Sequence, residues 1–248
     1  MSTYLKLDIE LPDGLDYLEL SDLTLPESIL QVGNIVNGYK FTAGFDDLTG
    51  GETSATVGTP LETSEGFYLG DTGYIDTGLK ETDEYLRIAL VRVSSGGIYT
   101  PLISNFVAAT LSSTGHSLGS NLAKTTTAVK LADNADSSGV FNAANITVGN
   151  WALLALSKKA EVGGYKYHFA CKPAGAALQQ ASSNIGNAAR NTVQNVCIGW
   201  TPKGDALIPK GSTLMNFASI HSVGLSSSEL GVLMNSVVAE LNQQGFAL

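Results

Sequence analysis

From its first residues the chain alternates apolar and polar positions with a period of two, the repeat of a half-buried strand. Tyr4-Leu5-Lys6-Leu7-Asp8-Ile9-Glu10-Leu11 alternates strictly, Pro12-Asp13-Gly14 supplies a turn, and Leu15 to Leu20 alternates again. Residues 1–30 are therefore expected to form a strand arm beside a body over residues 31–248. Such an arm would cover a sheet edge or pair with another subunit. Further strands are predicted at Tyr39-Lys40-Phe41-Thr42, Gly66 to Leu69, Tyr74 to Gly78 and Tyr85 to Val93. In the last of these Leu86, Ile88 and Leu90 share one face, while Arg87 and Arg92 break the apolar run. Such mixing is expected near the centre of a sandwich.

Residues 111–150 carry the weakest pattern, with short strands predicted at Val129-Lys130-Leu131 and Ile146-Thr147-Val148. Trp151 to Ser157 reads as a buried strand, with Trp151 in the core. Gly163-Gly164 turns the chain into Tyr165 to Cys171, so these two segments predict a hairpin. Asn195 to Gly199 and Asn216 to Ile220 are the last strands. The helical period occurs once, at the end: Leu230, Leu233, Met234, Val237 and Leu241 fall on one face. Ser226 and Glu229 have the spacing of a capping box, and Gly245 supplies a stop. No internal repeat is present. Many short strands and one late helix predict an all-β antiparallel sandwich.

Composition agrees. Only 15% of the 248 residues are charged, and 27 are glycine, which suits turn-rich sheets better than surface helices. The formal charge is −9, from 14 basic and 23 acidic side chains, with no basic stripe, so nucleic acid and anionic membranes are not expected partners. Cys171 and Cys197 read as reduced, packed thiols. His116, His168 and His221 lie too far apart for zinc-type spacing. The segment Met1–Leu30 has no continuous apolar stretch of the export-signal kind, and the longest apolar run, Trp151 to Leu156, is too short to span a bilayer.

Three segments together resemble concanavalin A-like jelly rolls, a group that includes laminin G-type and pentraxin-type modules. Phe67-Tyr68-Leu69-Gly70-Asp71-Thr72-Gly73-Tyr74-Ile75-Asp76-Thr77-Gly78 is similar to the early strand pair of that group. Trp151-Ala152-Leu153-Leu154-Ala155-Leu156, with the hairpin after it, is similar to a second landmark. Cys197-Ile198-Gly199, followed by Phe217 to Leu230, resembles the closing strands and helix. Ser222-Val223-Gly224 departs from the usual pattern, which has an arginine there. The low-charge, Ser/Thr/Ala/Asn-rich composition and the N-terminal arm resemble bacteriophage tail-fibre and other virion appendage proteins.

This fold hosts glycoside hydrolases, but their closely spaced carboxylate strand is missing. Asp8-Ile9-Glu10 and Asp83-Glu84 are the nearest runs, and both read as solvated. No nucleophile elbow or phosphate loop occurs. The resemblance implies Ca²⁺ as the cofactor, in rim loops. Asp133, Asn134 and Asp136 form the densest acidic loop, and Asp46, Asp47, Asp71 and Asp76 are further candidates; all of these also serve as turn formers. Sugar recognition needs an aromatic plate beside hydrogen-bonding groups. Trp200 is the first candidate, Tyr99 the second and His116, in a Ser/Gly loop, the third. Tyr165 and Tyr167 could face either way.

The expected protein is a non-enzymatic virion appendage that binds a bacterial surface polysaccharide. Other virion proteins and sister subunits are its expected partners, with a trimer as the expected homo-oligomer. A purely structural virion protein and a glycan-degrading enzyme are the alternatives.

Overall fold

The computed structural model describes residues 24–50, 54–92, 99–106, 115–121, 126–131, 141–143, 147–183, 192–200 and 211–248. The described chain begins with a short helix, α1 (Glu27–Gln31), and the strand β1 (Ile35–Lys40). There follow β2 (Ala55–Gly58), β3 (Leu61–Thr63), β4 (Gly66–Leu69), β5 (Gly73–Lys80) and β6 (Tyr85–Arg92). Next come β7 (Tyr99–Ser104), β8 (His116–Asn121), β9 (Thr126–Leu131) and β10 (Phe141–Ala143). The hairpin β11 (Trp151–Glu161) and β12 (Gly164–Pro173) leads to β13 (Gln179–Ser182), β14 (Asn195–Ile198), β15 (Thr213–His221) and the helix α2 (Ser227–Gln243).

These strands form two antiparallel sheets. The first runs β13-β12-β11-β6-β15-β4-β3, with β1 also on β15; the second runs β10-β9-β8-β7-β14-β5-β2. Their facing sides share one core, in which Ala89, Val91, Leu154, Phe169 and Met215 of the first sheet meet Ile75, Ile103, Leu118, Val196 and Ile198 of the second. The first sheet has a second apolar face. There Leu86, Ile88, Leu90, Leu153, Ala155 and Phe217 pack under Leu230, Met234, Val237 and Leu241 of α2. Strands covered on both faces read as near-continuous apolar runs, which is why Tyr85–Arg92 and Trp151–Ser157 lack clean alternation. The expected all-β antiparallel sandwich with a C-terminal helix is the fold.

Both ends of α2 follow the local sequence. Ser226 and Glu229 close the capping box. At the other end Gly245 takes φ +90 and the Phe246 N–H donates to the Leu241 carbonyl at 3.0 Å, a Schellman stop. A left-handed residue costs glycine nothing, so the chain turns sharply here and carries Phe246 back over the sheet.

Two local expectations change, and one open alternative closes. Leu25 and Ile29 join the core under α2, and the Ser28 N–H donates to Glu240 Oε1 at 3.1 Å, so the boundary expected after residue 30 falls inside a packed helix. Residues 1–23 lie outside the described residues. Thr147 to Asn150 is a turn closed by the Asn150 N–H on the Thr147 carbonyl, where a strand was expected. Tyr167 is buried in the inter-sheet core and Tyr165 packs partly against it.

Candidate functional site

Strand β15 has a forked edge. Thr213 to Met215 pair with Leu69 to Phe67 of β4, whereas Phe217 to His221 pair with Lys40 to Ile35 of β1. Asn216 sits between the two partners, at a register shift against β6. A cleft of about 580 Å³ opens at this fork, on the α2 side of the first sheet. That size is in the range of small-ligand sites.

Its walls form a closed ring of contacts. Lys40 Nζ donates to Asn216 Oδ1 at 2.8 Å, and Asn216 Nδ2 donates to the Glu65 carbonyl at 2.9 Å. Arg92 Nη1 donates to Glu65 Oε2 at 2.6 Å, and Nη2 donates to Oε1. The same guanidinium lies 4.8 Å from the centroid of the Trp151 ring. Trp151 meets Phe246 edge to face, with centroids 5.3 Å apart and planes at 82°, and Lys40 Nζ lies 5.8 Å from the Phe246 centroid. Gln244, the C-cap of α2, completes the rim. Trp151 was expected in the core. It is instead half-buried at the start of β11, packed at the margin of the cluster under α2 with Phe246 and the Arg92 guanidinium against its ring.

Trp200 follows β14 of the second sheet. It is half-buried and stacked on Tyr74, with centroids 6.1 Å apart and planes at 21°. Below them Asp76 Oδ1 accepts from Asn195 Nδ2 at 2.8 Å. Burial, with smaller contributions from Cys197 and Asp76, raises the Tyr74 phenol above its ordinary value. Gly199 directs the chain to Trp200: its φ is +84, and an added Cβ would lie 2.4 Å from Leu69 Cβ. Tyr99 begins β7 opposite Asn121, and the antiparallel β14 pairing runs from Ser104 opposite Cys197 to Ile103 opposite Ile198, toward the Tyr99 end. Leu69, packed on Gly199, pairs with Thr213, while Leu214 pairs with Arg92 and Arg92 with Trp151. The Trp200 surface and the Trp151 cleft therefore share one end of the sandwich.

His116 belongs to neither surface. It begins β8 and is fully buried, 2.9 Å from Glu81 Oε1 through Nδ1. Lys158 Nζ also donates to Glu81 Oε1, at 3.1 Å, and Asn105 Nδ2 donates to Oε2 at 2.7 Å. Arg87 Nη1 donates to the His116 carbonyl at 2.9 Å. The expected ligand-facing loop is thus an internal polar knot, because cations and an anion distant in sequence converge on it. Burial opposes charge on Glu81, but its hydrogen-bonding contact with His116 and the Arg87 and Lys158 cations outweigh it and hold the carboxyl well below its usual range. Burial lowers the His116 imidazole, against the pull of Glu81.

The acidic candidates divide in two. Asp47 Oδ1 accepts from the N–H groups of Gly38 and Thr49 at 2.9 and 3.0 Å, and Asp76 Oδ1 accepts from the Gly78 N–H at 3.0 Å as well as from Asn195. These two carboxylates organise turns, which does not fit a calcium ligand set. Asp133, Asn134 and Asp136 lie outside the described residues. Among the described residues no cluster of three or more His, Cys, Asp or Glu side chains has a metal-binding arrangement, and no helix is long and apolar enough to cross a membrane. Cys171 and Cys197 are free and buried.

No family model and no curated protein matches this sequence. Solved structures do. The binding domain of botulinum neurotoxin DC, in complex with SialylT, aligns with a TM-score of 0.56 at 13% identity, over 82% of this chain and 52% of that one. The serotype C1 binding domain aligns with 0.56 at 12%, over 82% and 52%. A Trypanosoma rangeli sialidase mutant displaying trans-sialidase activity aligns with 0.55 at 10%, over 82% and 33%. The chain thus spans about half the length of the neurotoxin domains. At these identities the likeness is one of fold, an antiparallel β-sandwich.

Proposed function

We propose that this chain is the glycan-binding sandwich of a bacteriophage tail fibre or related virion appendage, and that it binds a bacterial surface polysaccharide without cleaving it. One observation carries the binding reading: the Trp151–Phe246 pair forms an apolar wall in a cleft otherwise framed by Lys40, Glu65 and Asn216. Pyranose rings pack their C–H faces on aromatic side chains while their hydroxyls seek polar partners, so this mixture suits a sugar. The Trp200–Tyr74 stack, with Tyr99 at the same end, offers a second contact along a longer chain. The solved relatives lend support of their own kind: cell entry of botulinum neurotoxin type C depends on interaction with two ganglioside molecules, and a Trypanosoma rangeli sialidase was solved with sialic acid.

Hydrolysis by the usual route needs two carboxyl groups across the scissile bond. Among the described lining residues Glu65 is the one carboxylate, and Arg92 grips both of its oxygens. Such a group is poorly placed to act as acid or nucleophile, which supports a binding role. Calcium at Asp133, Asn134 and Asp136, and a trimer joined through residues 1–30, belong to the same proposal.

The test is binding of the purified protein to a panel of bacterial surface polysaccharides, with calcium and with EDTA, beside Trp151→Ala and Trp200→Ala. Binding lost in Trp151→Ala is expected, with release of no reducing sugar; loss in EDTA would add the metal. Binding to no polysaccharide on a broad panel would leave a purely structural virion component, and release of reducing ends would make it an enzyme. Light scattering on the same preparation tests the trimer.

A further inference from the structure

We propose that the cleft at the Asn216 fork selects uncharged, hydroxyl-rich sugars over acidic ones, and that Glu65 makes the choice. The inference rests on the glycan-binding reading and fixes the chemical class of its ligand. The Glu65 side chain is 44% exposed and that of Arg92 is 32% exposed, so this pair carries the accessible charge at the wall. Lys40 lies beneath, 2% exposed, with its ammonium donating to the Asn216 amide oxygen.

A neutral pyranose matches this wall. A hydroxyl donates to the free lone pairs of the Glu65 carboxylate, which has about four acceptor sites and gives two of them to Arg92. Neighbouring hydroxyls exchange hydrogen bonds with the Gln243 and Gln244 amides, which both donate and accept. An acidic sugar meets the opposite situation. Its carboxylate would sit beside that of Glu65 and compete with it for one guanidinium, and like charges at short range disfavour the complex. The formal charge of −9 on the whole chain adds long-range repulsion.

The experiment titrates the full chain with matched oligosaccharides: lactose against sialyllactose, and neutral hexose tetramers against the corresponding uronic acid tetramers. Neutral members are expected to bind at least tenfold more tightly than their acidic counterparts, and Trp151→Ala should weaken them at least tenfold. Glu65→Gln removes the charge, so the ratio of neutral to acidic affinity should fall about tenfold at low salt, even where neutral binding itself weakens with the loss of the carboxylate acceptor. Acidic sugars binding wild type as tightly as neutral ones, with the Trp151→Ala loss intact, would overturn the selectivity and leave the glycan reading standing. Equal selectivity in Glu65→Gln would remove Glu65 from the role. Binding of no sugar, or binding indifferent to Trp151→Ala, would overturn the site itself.

Discussion

Arg92 joins an aromatic ring to a carboxylate: its guanidinium stands 4.8 Å from the Trp151 centroid while two of its nitrogens hold the two oxygens of Glu65. Only a planar fork does both at once. Arg92→Lys keeps the charge and loses that geometry. Because the pair is partly exposed, the stability change should stay within about 1 kcal/mol in urea unfolding. Saccharide affinity should fall severalfold in calorimetry, since Glu65 and Trp151 lose their common anchor.

Gly199 is the hinge on which the Trp200 surface depends. At φ +84, with Leu69 in the space of a Cβ, alanine is both strained and crowded. Gly199→Ala should destabilise by about 1–3 kcal/mol. In a Trp151→Phe background, where Trp200 is the remaining tryptophan, its emission should shift to the red as the stack on Tyr74 opens.

Acid should weaken the fold in two stages. Burial holds His116, His168 and His221 below the ordinary histidine value of 6.5. The unfolded chain therefore binds more protons than the folded one as pH falls through 6.5, and stability falls with it. Glu81, held below its ordinary 4.5, contributes stability that is present above 4.5 and lost as pH falls toward its folded value. Urea midpoints from pH 8 to 3 should show both slopes, and His116→Gln should flatten the upper one. A midpoint constant from pH 7 to 5 would contradict the buried, neutral His116.

The α2 cap should behave differently. Hydrogen bonds from Lys159 and Ser226 hold the Glu229 carboxyl down at about 2, so the capping box stays charged through most of the acid range. Ser226→Ala should cost about 1 kcal/mol. The cost should be nearly the same at pH 7 and pH 4, as read by urea unfolding.

Much of this fold is written locally. The β11–β12 hairpin, the Ser226–Glu229 box and the Gly245 stop each depend on residues adjacent in sequence, and each was legible. His116 was not. Its Ser/Gly neighbours resemble a loop, and its partners come from elsewhere in the chain: Glu81 just after β5, Arg87 on β6 and Lys158 on β11. Trp151 misled for the converse reason: the apolar run it opens is core from Ala152 onward, but its first member packs only at the margin of the cluster under α2. The cleft joins residues near 40, 65, 151, 216 and 246, a set that no local period brings together. The one signal available was an aromatic residue directly after a helix-stopping glycine.

The fork in β15 gives the cleft a mechanical meaning. Strands β1 and β4 abut the same edge of β15 on either side of Asn216, and each belongs to a different stretch of chain. A sugar bound across the Asn216 fork would bridge those two stretches and add its binding energy to the stability of the junction. Load passing through β1 would then be borne better by a module with its ligand than by an empty one.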